Sequence, residues 1–227
     1  MELEKITKAR LSEPRRGYDD ACGTAHALEL IGERWALLVL RELMLGPRRF
    51  SELKADLPGI SANVLKQRLT ELEERGLVRR VRLPPPASVQ VYEATAWGLE
   101  AEPIVQSLGR WAARSPKHDP TLPISGVSIL LSFRTMFDPG RARDLVARIG
   151  FVFADMTYVL VIAKGELTVA RGDVEGCDVV FTGEPTTLAA VVYGGLPLAN
   201  MRIDGDARVA KRFVDLFELP PKAAAAY

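Results

Sequence analysis

The sequence of 227 residues has little of what disulfide-bonded or metal-dependent proteins need. Its two cysteines, Cys22 and Cys177, are too few for a disulfide framework and fit a reducing compartment. Its two histidines, His26 and His118, lie in different predicted domains, and no HExxH, CxxC, Walker, GxGxxG or GxSxG motif occurs. The sequence therefore gives no support for an enzyme, a metal site or a bound cofactor.

Long apolar runs are also missing. The uncharged run at residues 185–201 is interrupted by Pro185, Gly194, Gly195 and Pro197, and it is shorter than the roughly 20 apolar residues of a membrane span. The opening residues MELEKITKAR alternate in charge and lack an apolar core, so we expect no secretory signal. We therefore expect a cytoplasmic protein that has no membrane partner.

Length and composition indicate an ordinary globular chain with two domains. Hydrophobic residues make up 48% and charged residues 26% of the sequence, which excludes global disorder. Pro116, Pro120 and Pro123 fall within a short segment and discourage regular structure there. We place the domain boundary at this segment, which gives domains of residues 1–116 and 117–227.

The charge is distributed unevenly along the chain. The 30 Lys and Arg residues against 29 Asp and Glu residues leave a net charge of +1, which gives no reason to expect a uniform coat of nucleic acid. Residues 41–82 contain 10 basic and 6 acidic residues, a local charge of +4, whereas residues 117–227 contain 12 basic and 13 acidic residues, a local charge of −1. Any nucleic-acid contact is therefore expected in the first domain.

The first domain reads as helices followed by one hairpin. Cap and stop residues, including Ser51 and Ser61 as helix caps, predict helices at residues 22–31, 35–45, 51–57, 61–75 and 95–114. Pro103 predicts a kink or a restart in the last of these helices. Residues 77–83 and 89–92 read as two strands around a proline-rich tip. This order is that of a winged helix-turn-helix.

The helix at residues 61–75 has two distinct faces. At about 100° per residue, its buried face is expected to carry Leu65, Leu69 and Leu72. The opposite face carries polar side chains that suit reading base edges in a major groove, namely Asn63, Lys66, Gln67 and Thr70. An exposed polar helix face can also be simply solvated, but its position beside a basic hairpin favours DNA binding.

Further positions are predicted to contact the DNA backbone. Ser61 at the helix start suits a phosphate contact, and the hairpin offers a second basic contact through Arg79, Arg80 and Arg82. Arginines on an edge strand can alternatively guard against aggregation. Arg68 flanks the buried face, so a phosphate contact and an internal ion pair are equally compatible with its position.

Residues 18–114 resemble the HxlR family of winged-helix regulators. The resemblance rests on the segments IGERW at residues 31–35, RRFSEL at residues 48–53 and QRL at residues 67–69. It implies a homodimer, usually paired through terminal helices, that binds a two-fold DNA operator with one recognition helix in each half-site.

One position departs from this family pattern. The family often has Cys-Pro where this chain has Cys22-Gly23. Some relatives use this cysteine as a redox or electrophile sensor, and a cysteine at a helix N-terminus can have a stabilised thiolate. A small side chain at a dimer contact is the alternative role for Cys22.

The second domain reads as α+β with an antiparallel sheet. Residues 127–137 are apolar throughout and fit a helix or a strand. Strands are predicted at residues 149–154, 157–163, 166–171 and 178–182 as a meander, and helices at residues 186–193 and 207–219. The segment MRIDGDARVAKRFVDLFEL and the order of elements resemble the sterol-carrier-protein-like domain, which implies an apolar tunnel for a hydrophobic small molecule. Apolar residues that simply fill a core are the alternative.

The sequence thus predicts a DNA-binding transcriptional regulator, a repressor that acts as a homodimer on double-stranded operator DNA and responds to a hydrophobic effector. One alternative is a thiol sensor that acts through Cys22 and has a purely structural second domain. The other is a carrier of hydrophobic ligands whose first domain only dimerises. Individual residues of the ligand site are not assigned by the sequence.

Overall fold

A computed structural model of the protein describes residues 17–224. The expectation about the opening ten residues therefore lies outside the described residues. Within the described range, the first half contains six helices and one hairpin: α1 (Gly23–Ile31), α2 (Ala36–Glu42), α3 (Phe50–Asp56), α4 (Ala62–Glu74), β1 (Val78–Arg82), β2 (Gln90–Ala94), α5 (Ala96–Leu99) and α6 (Glu102–Ala113). The winged helix-turn-helix order is confirmed.

Local chemistry shifts several predicted helix ends. α3 begins at Phe50 and not after Ser51, because the Glu52 side chain accepts a 2.9 Å hydrogen bond from the Arg49 backbone N–H one turn earlier. Trp35 precedes α2, since its φ of 78° is left-handed and cannot belong to a right-handed helix. The predicted helix at residues 95–114 is divided into α5 and α6, and Pro103 lies in the first turn of α6.

The hairpin is joined to the helices by backbone pairing. β1 and β2 are antiparallel, with Arg79 opposite Glu93 and Val81 opposite Val91. The Arg48 N–H donates to the Tyr92 carbonyl oxygen and the Tyr92 N–H donates to the Arg48 carbonyl oxygen, both at 2.8 Å. The segment at Arg48, just before α3, is therefore paired with β2. β1 itself packs against α4.

The second half combines a five-stranded sheet with helices. In the described residues it contains α7 (Gly126–Met136), α8 (Pro139–Ala142), β3 (Ala147–Phe153), β4 (Met156–Ala163), β5 (Glu166–Arg171), β6 (Val179–Thr182), α9 (Pro185–Tyr193), β7 (Arg202–Gly205) and α10 (Ala207–Val214), with a 3₁₀ turn at Leu198–Asn200. The ambiguous apolar run at residues 127–137 is thus helix α7, capped by Ser125. The α+β class is confirmed.

The sheet departs from the predicted meander at its fourth strand. The strand order is β5-β4-β3-β6-β7, and β3, β4 and β5 form the expected antiparallel meander. β6 instead pairs in parallel with β3 on its other side, and the unpredicted β7 pairs antiparallel with β6. Gly205 permits this last pairing, because its φ is 114° and a Cβ there would lie 2.4 Å from the Asp178 carbonyl oxygen. α10 also ends at Val214, before the predicted residue 219.

Aromatic rings fill the layer between the sheet and its helices. Phe133 of α7 stacks on Phe217 with a centroid distance of 4.5 Å and meets Phe213 edge-on at 5.3 Å. Phe151 and Phe181 continue the cluster from the sheet side at 5.7 Å, and all five rings are at most 4% exposed. Apolar side chains therefore occupy this layer as a packed core.

The two halves share one hydrophobic core. Buried residues of α2 and α4 belong to the same cluster as those of α7 and the five-stranded sheet, and α6 packs along α7. Arg134 of α7 also pairs with Glu102 of α6 at 2.5 Å. Residues 115–125, where the sequence places the domain boundary, form turns and irregular chain between α6 and α7.

Candidate DNA-binding surface

α4 has the two faces that its sequence predicts. Leu65, Leu69 and Leu72 are at most 1% exposed and pack in the core beneath α2, which confirms the buried face. Ser61 caps the helix, since its Oγ accepts a 3.2 Å hydrogen bond from the Val64 N–H. α4 is therefore anchored along one side and at its N-terminus.

The opposite face of α4 is open to solvent. Asn63, Lys66, Gln67 and Thr70 are all exposed and lie on the side away from the three leucines. Gln67 donates a 3.0 Å hydrogen bond to the Glu71 carboxylate, so its amide is partly ordered in the free protein. Lys66 has no ion-pair partner in the described part of the chain. The structure thus brings these four predicted side chains together on one accessible surface.

Arg68 does not belong to that surface. It is 7% exposed, and its Nη1 atom lies 3.0 Å from a Glu33 carboxylate oxygen and 3.1 Å from a Glu71 carboxylate oxygen. Of the two roles that the sequence left open, the structure shows the internal ion pair. A nearly buried guanidinium beside two carboxylates is not placed to meet a phosphate, so Arg68 is not part of the DNA-binding surface proposed below.

The three hairpin arginines are exposed but differ in how their charge is used. Arg79 Nε lies 2.5 Å from a Glu93 carboxylate oxygen across the hairpin. Arg80 pairs with Glu73 of α4 at 2.9 Å and lies over the Tyr92 ring, with its Cζ atom 5.3 Å from the centroid. These contacts raise the pKa of the Arg80 guanidinium, the Glu73 hydrogen bond most of all. Arg82 has no ion-pair partner among residues 17–224.

Glu73 and Glu93 are the surface residues that sequence reasoning missed. Each carboxylate neutralises one hairpin arginine, so the local charge of the surface is smaller than a residue count suggests. The cross-strand pair depends on the register of the hairpin, which places Glu93 opposite Arg79. No sequence signal pointed to it, because the second predicted strand ends at residue 92, one residue before Glu93.

Cys22 lies at the N-terminus of α1, which precedes α4 and the hairpin in the chain. It is exposed and not disulfide-bonded. Hydrogen bonding from the backbone N–H groups of Thr24 and Ala25 lowers the pKa of its thiol, with a smaller contribution from the Thr24 hydroxyl. By contrast, burial raises the pKa of the Cys177 thiol.

No group of three or more His, Cys, Asp or Glu side chains in residues 17–224 is arranged to hold a metal ion. None of the helices in that range combines the length and apolarity needed to cross a membrane.

A cavity of about 1080 Å³ lies between the two halves. Its walls come from α2 and α6 on one side and from α7 and α9 on the other, and the segments 117–124 and 194–197 complete its rim. No sequence pattern pointed to these residues, since they are contributed by segments that are far apart in the chain.

Comparison with known proteins identifies the first half. The family model for the HxlR-like helix-turn-helix matches residues 30–119. The chain is 43% identical to the HTH-type transcriptional regulator YkvN of Bacillus subtilis, which covers 40% of this chain and 77% of YkvN. It is 37% identical both to YvaP and to YodB of the same organism, covering 38% of this chain and 80% and 77% of those proteins respectively.

A solved structure is also similar over this part. The reduced form of YodB shares 33% identity, covering 44% of this chain and all of that chain, with a TM-score of 0.39. The three named regulators are aligned over 77% to 80% of their own length. This protein belongs to the HxlR-like family of helix-turn-helix transcriptional regulators, which bind DNA.

Proposed function

We propose that the protein is a homodimeric repressor that reads operator DNA with α4 and the β1–β2 hairpin and responds to a hydrophobic small molecule. The observation that carries this proposal is the exposed polar face of α4, held opposite three buried leucines and beside a basic hairpin. Asn63, Lys66 and Gln67 are the side chains that discriminate bases, and Thr70 lies on the same base-reading face. Ser61 and the hairpin arginines contact the backbone.

An exposed apolar face of α6 supports the homodimer. Ile104, Leu108 and Trp111 follow one another at helical spacing and are 48%, 45% and 73% exposed, and Trp97 of α5 is 47% exposed nearby in the chain. Large apolar side chains grouped in this way mark an interaction surface. A two-fold dimer through α6 would present two α4 helices to successive major grooves, about 34 Å apart.

The second half, residues 117–227, is proposed as the unit that senses the effector. A sterol-carrier-like tunnel beneath the sheet is not the proposed site, because phenyl rings fill that layer. The dimer represses transcription if it occupies promoter DNA and excludes RNA polymerase. The effector releases the dimer from DNA if it favours a dimer geometry in which the two α4 helices no longer match the spacing of the grooves.

The test is selection of bound fragments from genomic DNA, followed by affinity measurements with variants. We expect a two-fold motif, and we expect Asn63→Ala and Gln67→Ala to relax the preference at individual bases, each by about 1 to 3 kcal/mol. Arg208→Ala on α10, whose side chain is 92% exposed, is the matched control and leaves affinity unchanged. Recovery of fragments without sequence preference would favour the ligand-carrier alternative.

A second candidate function is thiol sensing through Cys22. It is favoured by the exposed position of this thiol together with the backbone hydrogen bonds that lower its pKa. The test is release of operator DNA by diamide or a quinone. Cys22→Ser abolishes that release if Cys22 is the sensor and leaves it unchanged if it is not, with Cys177→Ser as the control.

A further inference from the structure

The interdomain cavity joins the DNA-binding half to the second half. α2 contributes Leu37 and Leu38 to its wall, while Val39 and Leu40 on the other side of the same helix are fully buried in the core against which α4 packs. α7 likewise has one face on the cavity and another, through Phe133, on the ring cluster. A molecule in the cavity would therefore touch both halves at once.

The size and lining of the cavity suit one apolar molecule. Ligand sites for small molecules typically occupy about 300 to 1000 Å³ and are lined mainly by apolar side chains. This cavity has about 1080 Å³, and its deeper wall includes Ile129, Leu131 and Ala189, each at most 8% exposed. Its volume is therefore sufficient for a single molecule of lipid or drug size.

Most polar groups in the wall already have partners within the protein. Gln106 donates to Glu102 at 2.7 Å, the Thr135 hydroxyl donates to the Leu131 carbonyl at 2.7 Å, and Arg41 donates to the buried Glu42 carboxylate. A charged ligand group at the deeper wall would have to displace one of these contacts, whereas the charged side chains of the lining outside it, such as Lys117, lie at the exposed rim. The wall thus favours a neutral ligand over an ionised one.

One hydroxyl pair in the deeper wall keeps a donor for a ligand. Ser132 of α7 and Tyr193 of α9 lie 2.9 Å apart, oxygen to oxygen. The two hydroxyl groups have two protons and their mutual hydrogen bond uses one, so one O–H remains available to a ligand. Burial raises the pKa of Tyr193, which keeps the phenol neutral at physiological pH. The pair can therefore donate one hydrogen bond to a neutral acceptor.

We infer that this cavity binds a neutral, largely hydrocarbon molecule with one hydrogen-bond acceptor, such as a ketone or an ester, which accepts from the Ser132–Tyr193 pair. This inference rests on the proposed function, for which it supplies the effector site.

The proposed dimer face and the cavity use different sides of α6. At about 100° per residue, Val105, Gly109 and Ala112 point to the cavity, whereas Ile104 and Trp111 lie roughly 100° away around the helix. Leu108 stands at the border of the two faces.

The test uses two fluorescent probes and the full chain. Prodan is a neutral naphthalene with a ketone, and diphenylhexatriene is a hydrocarbon without an acceptor. We expect each to bind at one site per chain. The double variant Ser132→Ala/Tyr193→Phe, which removes both hydroxyls, should weaken Prodan binding roughly five-fold, the effect of one ordinary hydrogen bond, and leave diphenylhexatriene binding unchanged.

Filling the cavity should remove both probes. Ala190→Phe places a ring in the cavity wall, and Leu38→Trp does so at a partly exposed position that tolerates a larger side chain. Ala170→Phe adds the same ring on the exposed edge strand β5, outside the cavity, and is the matched control that should bind both probes as the unaltered chain does.

Two results would overturn the inference. One is unchanged binding of both probes to the folded Ala190→Phe and Leu38→Trp variants. The other is a shift of these variants from dimer to monomer without any change in probe binding, which would assign the cavity to the subunit interface. Operator affinity is measured separately, without probe. Absence of sequence-specific DNA binding would contradict the proposed function, whereas the probe experiments alone decide whether the cavity binds a ligand.

Discussion

At the residue scale, the hairpin arginines carry unequal amounts of available charge. Arg79 is paired with Glu93 and Arg80 with Glu73, whereas Arg82 has no ion-pair partner in the described range. Binding to a phosphate releases counterions from DNA, and each such contact steepens the dependence of affinity on salt. An arginine that keeps its carboxylate partner contributes little to that release.

We therefore predict different salt dependences for two hairpin variants. Arg82→Gln should lower operator affinity at low salt and reduce the slope of log K against log salt by about one. The double variant Arg79→Gln/Glu93→Gln removes an ion pair without changing net charge and should leave the slope unchanged. Fluorescence anisotropy titrations from 50 to 300 mM salt, roughly the range in which such slopes are resolved, measure both. A reduced slope in the double variant would show that Arg79 exchanges its carboxylate for a phosphate.

The two cysteines give a prediction about pH. Backbone N–H groups lower the pKa of Cys22, so its thiolate persists at lower pH, whereas burial raises the pKa of Cys177. Alkylation by iodoacetamide requires the thiolate. Mass spectrometry between about pH 6 and pH 9, which spans the usual thiol range, should show that Cys22 reacts faster throughout and that its rate levels off at lower pH. Equal rates at the two sites would contradict the lowered pKa.

Helical periodicity was sufficient to predict which α4 side chains face out and which are buried. Leu65, Leu69 and Leu72 are spaced for one face, and the polar residues between them for the other. The angle of Arg68 falls at the edge of the buried face, and helical periodicity does not show that Glu33, on another segment, lies close enough to pair with it. The pairing of Arg79 was equally inaccessible, since it depends on hairpin register.

At the scale of the element, the N-terminus of α4 combines a stabilising helix cap with a predicted phosphate contact. Ser61 Oγ caps the helix by accepting from Val64, and it stands where a phosphate is expected to approach. Aspartate caps helices about as well as serine, but its negative charge repels a phosphate.

Ser61→Asp should therefore separate stability from DNA binding. We expect the free energy of unfolding to stay within about 0.5 kcal/mol of that of the unaltered chain, and operator affinity to fall at least about ten-fold. Ser61→Ala is the converse control, since loss of the cap should cost about 1 kcal/mol of stability. Denaturant melts and anisotropy titrations measure the two quantities. Unchanged affinity in Ser61→Asp would remove the N-terminus of α4 from the interface.

Caps and stop residues predicted most helices, but they did not predict pairing. β6 has the β-branched and aromatic composition of a strand, and nothing in that composition distinguishes a fourth meander strand from a parallel neighbour of β3. α7 was ambiguous for a related reason. Its residues are buried both against the ring cluster and toward α2 and α6, and the small hydroxyl side chains Ser128, Ser132 and Thr135, which share the cavity side of the helix, are a weak signal of a helical period.

At the scale of the whole molecule, the two halves pack against each other in one hydrophobic core and are not separate domains joined only by a linker. Proline content and charge pointed to a boundary near residue 117, and that division remains a proposal. The contacts across it join elements distant in sequence, which composition cannot show. Glu42 of α2 is the clearest example: it is fully buried and accepts from Ser125 at 2.8 Å and from Ser128 at 3.4 Å, both at the start of α7.

The buried contact of Glu42 between the two halves predicts that the halves unfold cooperatively. All three tryptophans, Trp35, Trp97 and Trp111, lie in the first half, so their fluorescence reports on that half while far-UV circular dichroism reports on both. A shared core predicts that the two unfolding transitions coincide.

Glu42→Ala should destabilise the whole molecule by about 3 kcal/mol, because it leaves the Arg41 guanidinium and two serine hydroxyls without their acceptor and opens a void. Glu100→Ala, at an exposed position, should change stability by less than about 0.5 kcal/mol. In urea titrations the fluorescence and dichroism midpoints of Glu42→Ala should fall together. Separation of the two midpoints would mean that the halves unfold independently, and an effector bound between them would then have no rigid connection through α2 to α4.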